Sequence, residues 1–518
     1  MARARWSLYI GAQMSDSPNA EVVAQAASSA SLRSMASRSV LWTAIGKASN
    51  TIISLLVTAL LTRLLTPADF GVVAMVVVIS GFLNIMAEAG VSTAVVQKRD
   101  LEPRALSTLF WMGLGLGIVS CAILAVGSPL IARFFAEPRL TPVVAMLSVS
   151  FVFLAMGRIP NGLLERSFRF RELALAEVIS AVVSGIVGVV LARSGAGYFA
   201  LVAQTLVSGF LNATLRLIFA RYRPELVFDT SALREVSGYS GGVTAFTAIN
   251  YWARNLDKAL IGRALGAAQL GFYGRAYALM LYPLEGINGI INPSLHPLLS
   301  AMQGDRERMT RAYLKVIRLV ATLAFPTMCV LGALAPEIVH TVWGKQWDAS
   351  VRVFAILCFV GAVQPISSTF GAVFLATNRT RLLAVVGFVN SVIMMGGIAL
   401  GVRFGIQGVA IGYSLAYGAI FLPTMYLVVA VLLSGSWRDV MSVFATAGAI
   451  ALPVLLALLG FNHLLRGHLP EGLHLALGIA VGVSFWIATF AIVDRPLLAE
   501  ARSFLPGRRK RASGTDHQ

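Results

Sequence analysis

Charge and cysteine are both scarce in this chain. Of 518 residues only 13% are charged, against 57% hydrophobic, and the mean hydropathy is +0.77. That balance excludes a soluble globular protein and places the chain in a bilayer. The three cysteines, Cys121, Cys329 and Cys358, all fall inside apolar runs, which fits buried thiols and excludes a disulfide framework or a cysteine metal site. GxxxxGK[ST], HExxH and paired Cys/His spacings are missing, so neither a metal nor any other cofactor is expected. Long polar loops are missing too. The largest connecting pieces lie around 221–235 and 299–312, too short for a catalytic domain, so the chain reads as a non-enzyme whose work is done within the membrane.

What fills the chain instead is apolar sequence. Runs long enough to cross about 30 Å of hydrocarbon, each needing roughly 20 residues, recur from end to end. We count fourteen: 39–62, 70–95, 107–131, 141–163, 174–193, 198–220, 236–262, 269–298, 313–336, 350–376, 382–402, 406–433, 442–463 and 473–493. None alternates as a barrel strand would, so the expected fold is an all-α polytopic membrane protein. Loops after even-numbered runs carry 17 Lys and Arg and those after odd-numbered runs 10, which predicts that both termini are cytoplasmic. The cluster Arg508-Arg509-Lys510-Arg511 agrees. Net charge of +18 therefore reads as topology and attraction to anionic lipid rather than as a nucleic-acid footprint. Residues 1–38 lack the apolar core of a signal peptide; they read as a cytoplasmic tail, disordered to about Ser31, with a short basic amphipathic stretch at Arg33 and Arg38 and with Met14 or Met35 as alternative starts.

Within this pattern one segment is written twice. Residues 48–71 and 248–271, offset by 200, match at nine of 24 positions, including Asn50/Asn250, Arg63/Arg263 and Gly71/Gly271. A second echo, offset by 208, sets the run from Gly197 against the run from Gly405. Matching Asn, Arg and Gly in register is harder to reach by chance than matching Leu and Ala, so the chain reads as a duplication. The expected organisation is a tail (1–38), two pseudo-repeated six-helix lobes (39–234 and 235–433) around a central cavity, an additional helix pair (434–494) and a basic tail (495–518). Two similar membrane halves are a common transporter plan.

Polar side chains inside spans are costly and therefore informative. Lys47, Asn50, Thr51, Ser54 and Thr58 follow steps of three and four, one face of a helix. Thr247, Asn250, Tyr251, Arg254, Asp257 and Lys258 repeat the device at the same offset. Lys47, Asn50, Asn250, Tyr251, Arg254 and Lys258 are the candidate substrate-binding residues of a wet, cationic cavity; the alternative is internal satisfaction, Arg254 with Asp257 at i, i+3 and Lys258 snorkelling. Glu88, Asp257 and Glu285 are candidates either for charge pairs or for coupling to H⁺ or Na⁺. Prolines in or near spans, among them Pro326, Pro365, Pro423 and Pro453, mark bends.

The strings LLTRLLTPADFGVVAMVVVISGFLNIMAEAGVSTAVVQ (60–97), ALSTLFWMGLGLG (105–117), LLERSFRFRELALAEVI (163–179) and NLDKALIGRALGAAQLGFYGRAYALMLYP (255–283) resemble, in order, the polysaccharide repeat-unit flippases of the multidrug/oligosaccharidyl-lipid/polysaccharide exporter superfamily, in the colanic-acid and teichuronic-acid exporter branch. The resemblance implies a two-lobed bundle of twelve helices plus two, in a bacterial inner membrane, moving an undecaprenyl-diphosphate-linked oligosaccharide by alternating access. It implies membrane lipids as surroundings and the polysaccharide polymerase and export machinery as partners. A diphosphate needs cations in a hydrated path, which matches the stripe of Lys47, Arg254 and Lys258; Asn50, Asn250, Tyr251 and Tyr277 are suited to sugars. A cell-wall precursor lipid flippase and an ion-coupled drug exporter of the same superfamily stay open as alternatives.

Overall fold

The computed structural model describes residues 18–88, 103–227 and 230–493. Among them there is helix and no strand. The first half runs α1 (Pro18–Leu64), α2 (Pro67–Glu88), α3 (Pro103–Phe135), α4 (Leu140–Leu147), α5 (Ser150–Arg166), α6 (Phe170–Arg193) and α7 (Phe199–Ala220). Next come α8 (Thr230–Ser300), α9 (Arg306–Ala333), α10 (Ala335–Val342), α11 (Asp348–Ser367) and α12 (Phe370–Ala376). The chain continues with α13 (Thr380–Val402), α14 (Gly405–Tyr426), α15 (Trp437–Leu465) and α16 (Glu471–Val493).

Twelve helices among the described residues are long and apolar enough to cross a membrane. The two further spans expected at 236–262 and 269–298 fall in α8, a 71-residue helix that Gly266 divides into two arms at φ 84°, ψ 177°. The tail differs from the sequence expectation: helical backbone begins at Pro18, upstream of Ser31. The segment is rich in Ala, the strongest helix former, and a helix already nucleated at Leu41–Leu64 extends into it more readily than a new one forms.

By contacts the chain divides into two compact units. One comprises Met1–Thr58, Leu83–Gly127 and Val144–Thr247; the other comprises Ala59–Phe82, Ser128–Val143 and Ala248–Gln518. In the first unit small residues let helices approach closely, as is usual where lipid supplies no hydrophobic drive. A Cβ at Gly46 would press on Ala174, one at Gly117 on Ala155 and one at Gly185 on Val57. The chain after α7 is strapped along α3: Trp111 donates its indole N–H to Glu225 O at 2.9 Å, and Ser107 Oγ accepts the Glu225 amide at 3.1 Å.

In the second unit the duplication becomes visible as reciprocal packing. A Cβ at Gly71 would overlap the main-chain carbonyl of Ala267, and a Cβ at Gly271 would overlap that of Pro67. Since 71 and 271 are equivalent under the offset of 200, as are 67 and 267, each repeat presents the same patch to the other, the signature of a local two-fold relation. The aromatic contacts follow suit. Trp347 is fully buried and donates its indole N–H to Thr62 O at 2.8 Å, while the Phe135 ring sits against Gly262, the equivalent of position 62.

The rest of the second unit is bilayer packing. Gly397 and Gly401 of α13 interlock with Gly412 and Gly408 of α14, each main chain standing where the other's Cβ would be, a small-xxx-small pair on both helices. The opposite face of α13 leaves Val385, Phe388 and Val392 exposed, as a lipid-facing helix must. A π-helical turn, Leu427–Leu432, follows Pro423 at the end of α14, one of the recognised causes of a bend. α15 opens on a capping box between Ser436 and Asp439, and α16 seats Gly478 and Gly482 against Leu334 and Val330.

Candidate functional site

The polar stripe of the first arm of α8 turns into the second unit. Asp257 is buried at 4% exposure. One carboxylate oxygen accepts the main-chain N–H of Lys258 at 2.7 Å and the other accepts the hydroxyl of Tyr273 at 3.5 Å. Lys258, half-buried, points elsewhere: its Nζ donates to Asn255 Oδ1 at 3.2 Å and stands 5.7 Å from the ring centre of Tyr277. Tyr277 stacks on Tyr273, 6.0 Å between centroids, and its hydroxyl lies 3.4 Å from that of Tyr413 on α14. Tyr417 packs next to Tyr413. The result is an aromatic wall of four phenols with one ammonium on its face, bonded to Asn255 and within electrostatic reach of Asp257. An ammonium has three N–H donors, so one bonded to Asn255 keeps others available for an anion.

Tyr251 has a different part. Its hydroxyl donates to the carbonyls of Val77 at 3.1 Å and Val78 at 2.8 Å, and its ring fills the space left by Gly81. Expected as a sugar contact, it is occupied in pinning the first arm of α8 to α2. Lys47 and Asn50 lie on α1, Lys47 exposed and Asn50 half-buried. Glu285 is exposed on the second arm of α8, one turn from Asn288, whose Oδ1 accepts the Ser368 hydroxyl at 2.8 Å. Asn250 and Arg254 fall in the helical backbone of α8 and Glu88 in that of α2; their side chains lie outside the described residues. The structure thus brings Asp257, Lys258 and Tyr277 together.

Two arginines inside spans escaped the sequence reading. Arg158 on α5 donates from Nη2 to Asn84 Oδ1 on α2 at 3.3 Å, and Arg216 on α7 pairs with Glu177 on α6 at 3.3 Å. Asn161 donates to Glu165 at 2.8 Å on the same helix as Arg158. The signal was there, since each arginine interrupts an apolar run, but neither belongs to the duplicated stripe. Tyr273, Tyr413 and Tyr417 were missed for another reason. A tyrosine in a span carries no charge to mark it, and spacing pairs Tyr273 with Tyr277 and Tyr413 with Tyr417, each at i and i+4, without joining the two pairs.

Comparison with known proteins agrees with this architecture. Residues 60–352 match the family model described as polysaccharide biosynthesis protein. The lipopolysaccharide biosynthesis protein WzxC of Escherichia coli (strain K12) is 26% identical over 89% of this chain and 94% of its own length. The succinoglycan biosynthesis transport protein ExoT of Rhizobium meliloti (strain 1021) is 25% identical over 92% and 97%. The teichuronic acid biosynthesis protein TuaB of Bacillus subtilis (strain 168) is 26% identical over 66% and 71%. Among solved structures, the lipid II flippase MurJ in an inward closed conformation superposes with a TM-score of 0.69 at 15% identity, covering 89% of this chain and all of MurJ. An inward-facing multidrug resistance transporter of the MATE family gives 0.56 at 16% identity, covering 74% of this chain and 95% of its own. By the match over more than half its length, the chain belongs to the polysaccharide biosynthesis protein family of multi-pass membrane proteins.

Proposed function

We propose that this protein flips a polyprenyl-diphosphate-linked oligosaccharide repeat unit across the bacterial cytoplasmic membrane for the synthesis of a surface or secreted polysaccharide. The observation that carries the reading is the seating of Lys258. A buried ammonium would ordinarily be matched to the carboxylate next to it, yet Asp257 is satisfied by an amide and a phenol, and the ammonium is turned onto Asn255 and Tyr277. That arrangement keeps a cation ready for diphosphate oxygens, beside phenols suited to the hydroxyls and faces of sugars. Relatives named for lipopolysaccharide, teichuronic acid and succinoglycan synthesis support a glycan cargo.

In this reading the lobes 39–234 and 235–433 exchange access to a cationic cavity, with the helix pair 434–494 outside them and both termini in the cytoplasm. Lys47 and Arg254 extend the cationic path, and Asp257 is the acid most suited to carry a coupling proton. Deleting the gene should abolish the surface polysaccharide and leave its lipid-linked repeat unit in the inner leaflet. Lys258→Ala should reproduce this at normal membrane abundance, whereas Lys258→Arg should keep part of the export. A chain that instead rescues loss of a cell-wall precursor flippase, with polysaccharide unaffected, would replace this reading. For orientation, single cysteines at Asp69, Arg139 and Lys345 should label from outside intact cells, and those at Arg169, Arg308 and Arg379 only after lysis. Outside labelling at Arg308 overturns the topology.

A further inference from the structure

We propose that Arg275, seated on the ring of Phe70, is a second anion-binding station that takes the phosphate oxygens of a phosphate ester, separate from the Lys258 wall. The proposal rests on the flippase reading for its natural cargo and on geometry for its location. Arg275 lies on the second arm of α8, nine residues beyond the bend at Gly266, about 13 Å along the helix at 1.5 Å per residue. It is half-buried and stands on an aromatic face, Cζ 4.5 Å from the centre of the Phe70 ring, with the Tyr282 phenol within electrostatic reach. Three other cations of this unit that sit in or beside spans have polar partners. Arg63 donates to the carbonyls of Val342 and Thr341, Lys258 donates to Asn255, and Arg466 is bridged to Glu337.

A guanidinium stacked on a ring spends only its face. The five N–H donors lie in its plane, in a fork that fits two phosphate oxygens at once. The ring below it is braced. Phe70 meets Trp347 edge-on at 5.4 Å, and Trp347, fully buried, meets Phe272 at 5.9 Å. Phe272 precedes Arg275 by three residues and so shares its helix face. Room for a ligand exists beside the arginine, because a Cβ added at Gly274 would meet no atom within 4 Å. Tyr277 lies two residues further on, a step of about 200° around the helix, so Arg275 and the Lys258 wall serve different faces of the same arm. Leaving a half-buried charge without a counter-charge is costly unless an anion visits it.

The test uses the full chain in nanodiscs, with farnesyl diphosphate and inorganic pyrophosphate as soluble probes and a graded content of phosphatidylglycerol in the disc as the bilayer source of phosphate. Arg275→Gln should weaken diphosphate binding about tenfold or more, as loss of a bidentate charged contact does. Arg275→Lys should weaken it severalfold, and Phe70→Leu, which removes the platform and keeps the charge, should fall between wild type and Arg275→Gln. If the source is the bilayer, the same variants lose a phosphatidylglycerol-dependent rise in melting temperature while soluble diphosphate binding is unchanged. Both outcomes support a phosphate site and name its source. Wild-type behaviour of Arg275→Gln and Arg275→Lys toward both sources overturns the proposal. Loss of diphosphate binding in Lys258→Ala alone, with Arg275→Gln intact, overturns this station and leaves the flippase reading standing. Absence of diphosphate binding in wild type strikes that reading, not the phospholipid arm.

Discussion

The two repeats solve one structural problem with different chemistry. At position 66 the chain must leave one span and enter the next, and the first repeat does it with a capped turn: the Thr66 main-chain N–H donates to Asp69 Oδ2 at 2.9 Å and the Asp69 N–H donates to Thr66 Oγ1 at 3.3 Å, with Pro67 at the first helical position. At the equivalent position 266 the second repeat has no cap. The helix runs on and turns at a single glycine whose φ of 84° and ψ of 177° few other residues adopt. One repeat is stabilised by side-chain hydrogen bonds that can be removed singly. The other depends on the absence of a side chain. What both share, the backbone contact of Gly71 and Gly271, is fixed by the packing of one repeat on the other.

Variants that strain this comparison should rank accordingly. Gly71→Val and Gly271→Val should be the most severe, because the atoms in the way are main-chain carbonyls of Ala267 and Pro67 that cannot rotate aside. Overpacking costs about 1–3 kcal/mol and more where backbone must move. Membrane abundance and melting temperature should fall alike in the two variants. The double variant should add little to either, because both side chains force apart the same interface. Clean additivity would break the claim of a shared two-fold contact.

Gly266→Ala comes next, at about 1–3 kcal/mol from backbone strain alone, since nothing stands within 4 Å of its added Cβ. Thermal unfolding in detergent measures it, and an unchanged melting temperature would mean that the bend tolerates ordinary φ. Thr66→Ala should cost less, about 1 kcal/mol, the usual value of a lost cap. If Thr66→Ala proves worse than Gly266→Ala, the ordering of the two turns is reversed.

The smallest effect is expected at Glu137, between α3 and α4. Its carboxylate accepts Arg139 Nε at 2.8 Å and Nη2 at 2.9 Å, and this hydrogen bonding holds its pKa below the usual carboxylate range. A lowered folded-state pKa means that the stabilisation is present above the unfolded-state value and is lost as pH falls through the folded-state one. With Arg139 41% exposed solvent screens the pair, so Glu137→Gln should cost under about 0.5 kcal/mol at pH 7. The difference from wild type should vanish at strongly acid pH. A variant that grows less stable relative to wild type on acidification would reverse the sign.

Much of this fold could be read from residue types. Apolar runs identified twelve of the crossing helices, because length and hydropathy are all a bilayer requires. Asn50, Gly71 and their partners marked the duplication, and Gly71 turned out to be where the repeats touch. The site was less legible. Lys258 stood out as a charge, but that its ammonium would settle on Asn255 and Tyr277 depends on rotamers that no periodicity encodes. Tyr251 looked like a ligand contact and serves α2 carbonyls, since a phenol in a span advertises a need for an acceptor without saying which. Arg158 and Arg216 were visible as charges and were passed over because they stand outside the repeated stripe.

The most direct test of the account is transbilayer movement by the purified protein. Proteoliposomes would carry a fluorescent polyprenyl-diphosphate oligosaccharide, and a membrane-impermeant enzyme that cleaves the sugar would report how much of it reaches the outer leaflet. Wild-type protein should take the cleavable fraction from about half to nearly all, with Lys258→Ala slower by about tenfold or more and Lys258→Arg intermediate. Equal rates for wild type and Lys258→Ala, or a cleavable fraction that stays near half with folded wild-type protein present, would contradict it.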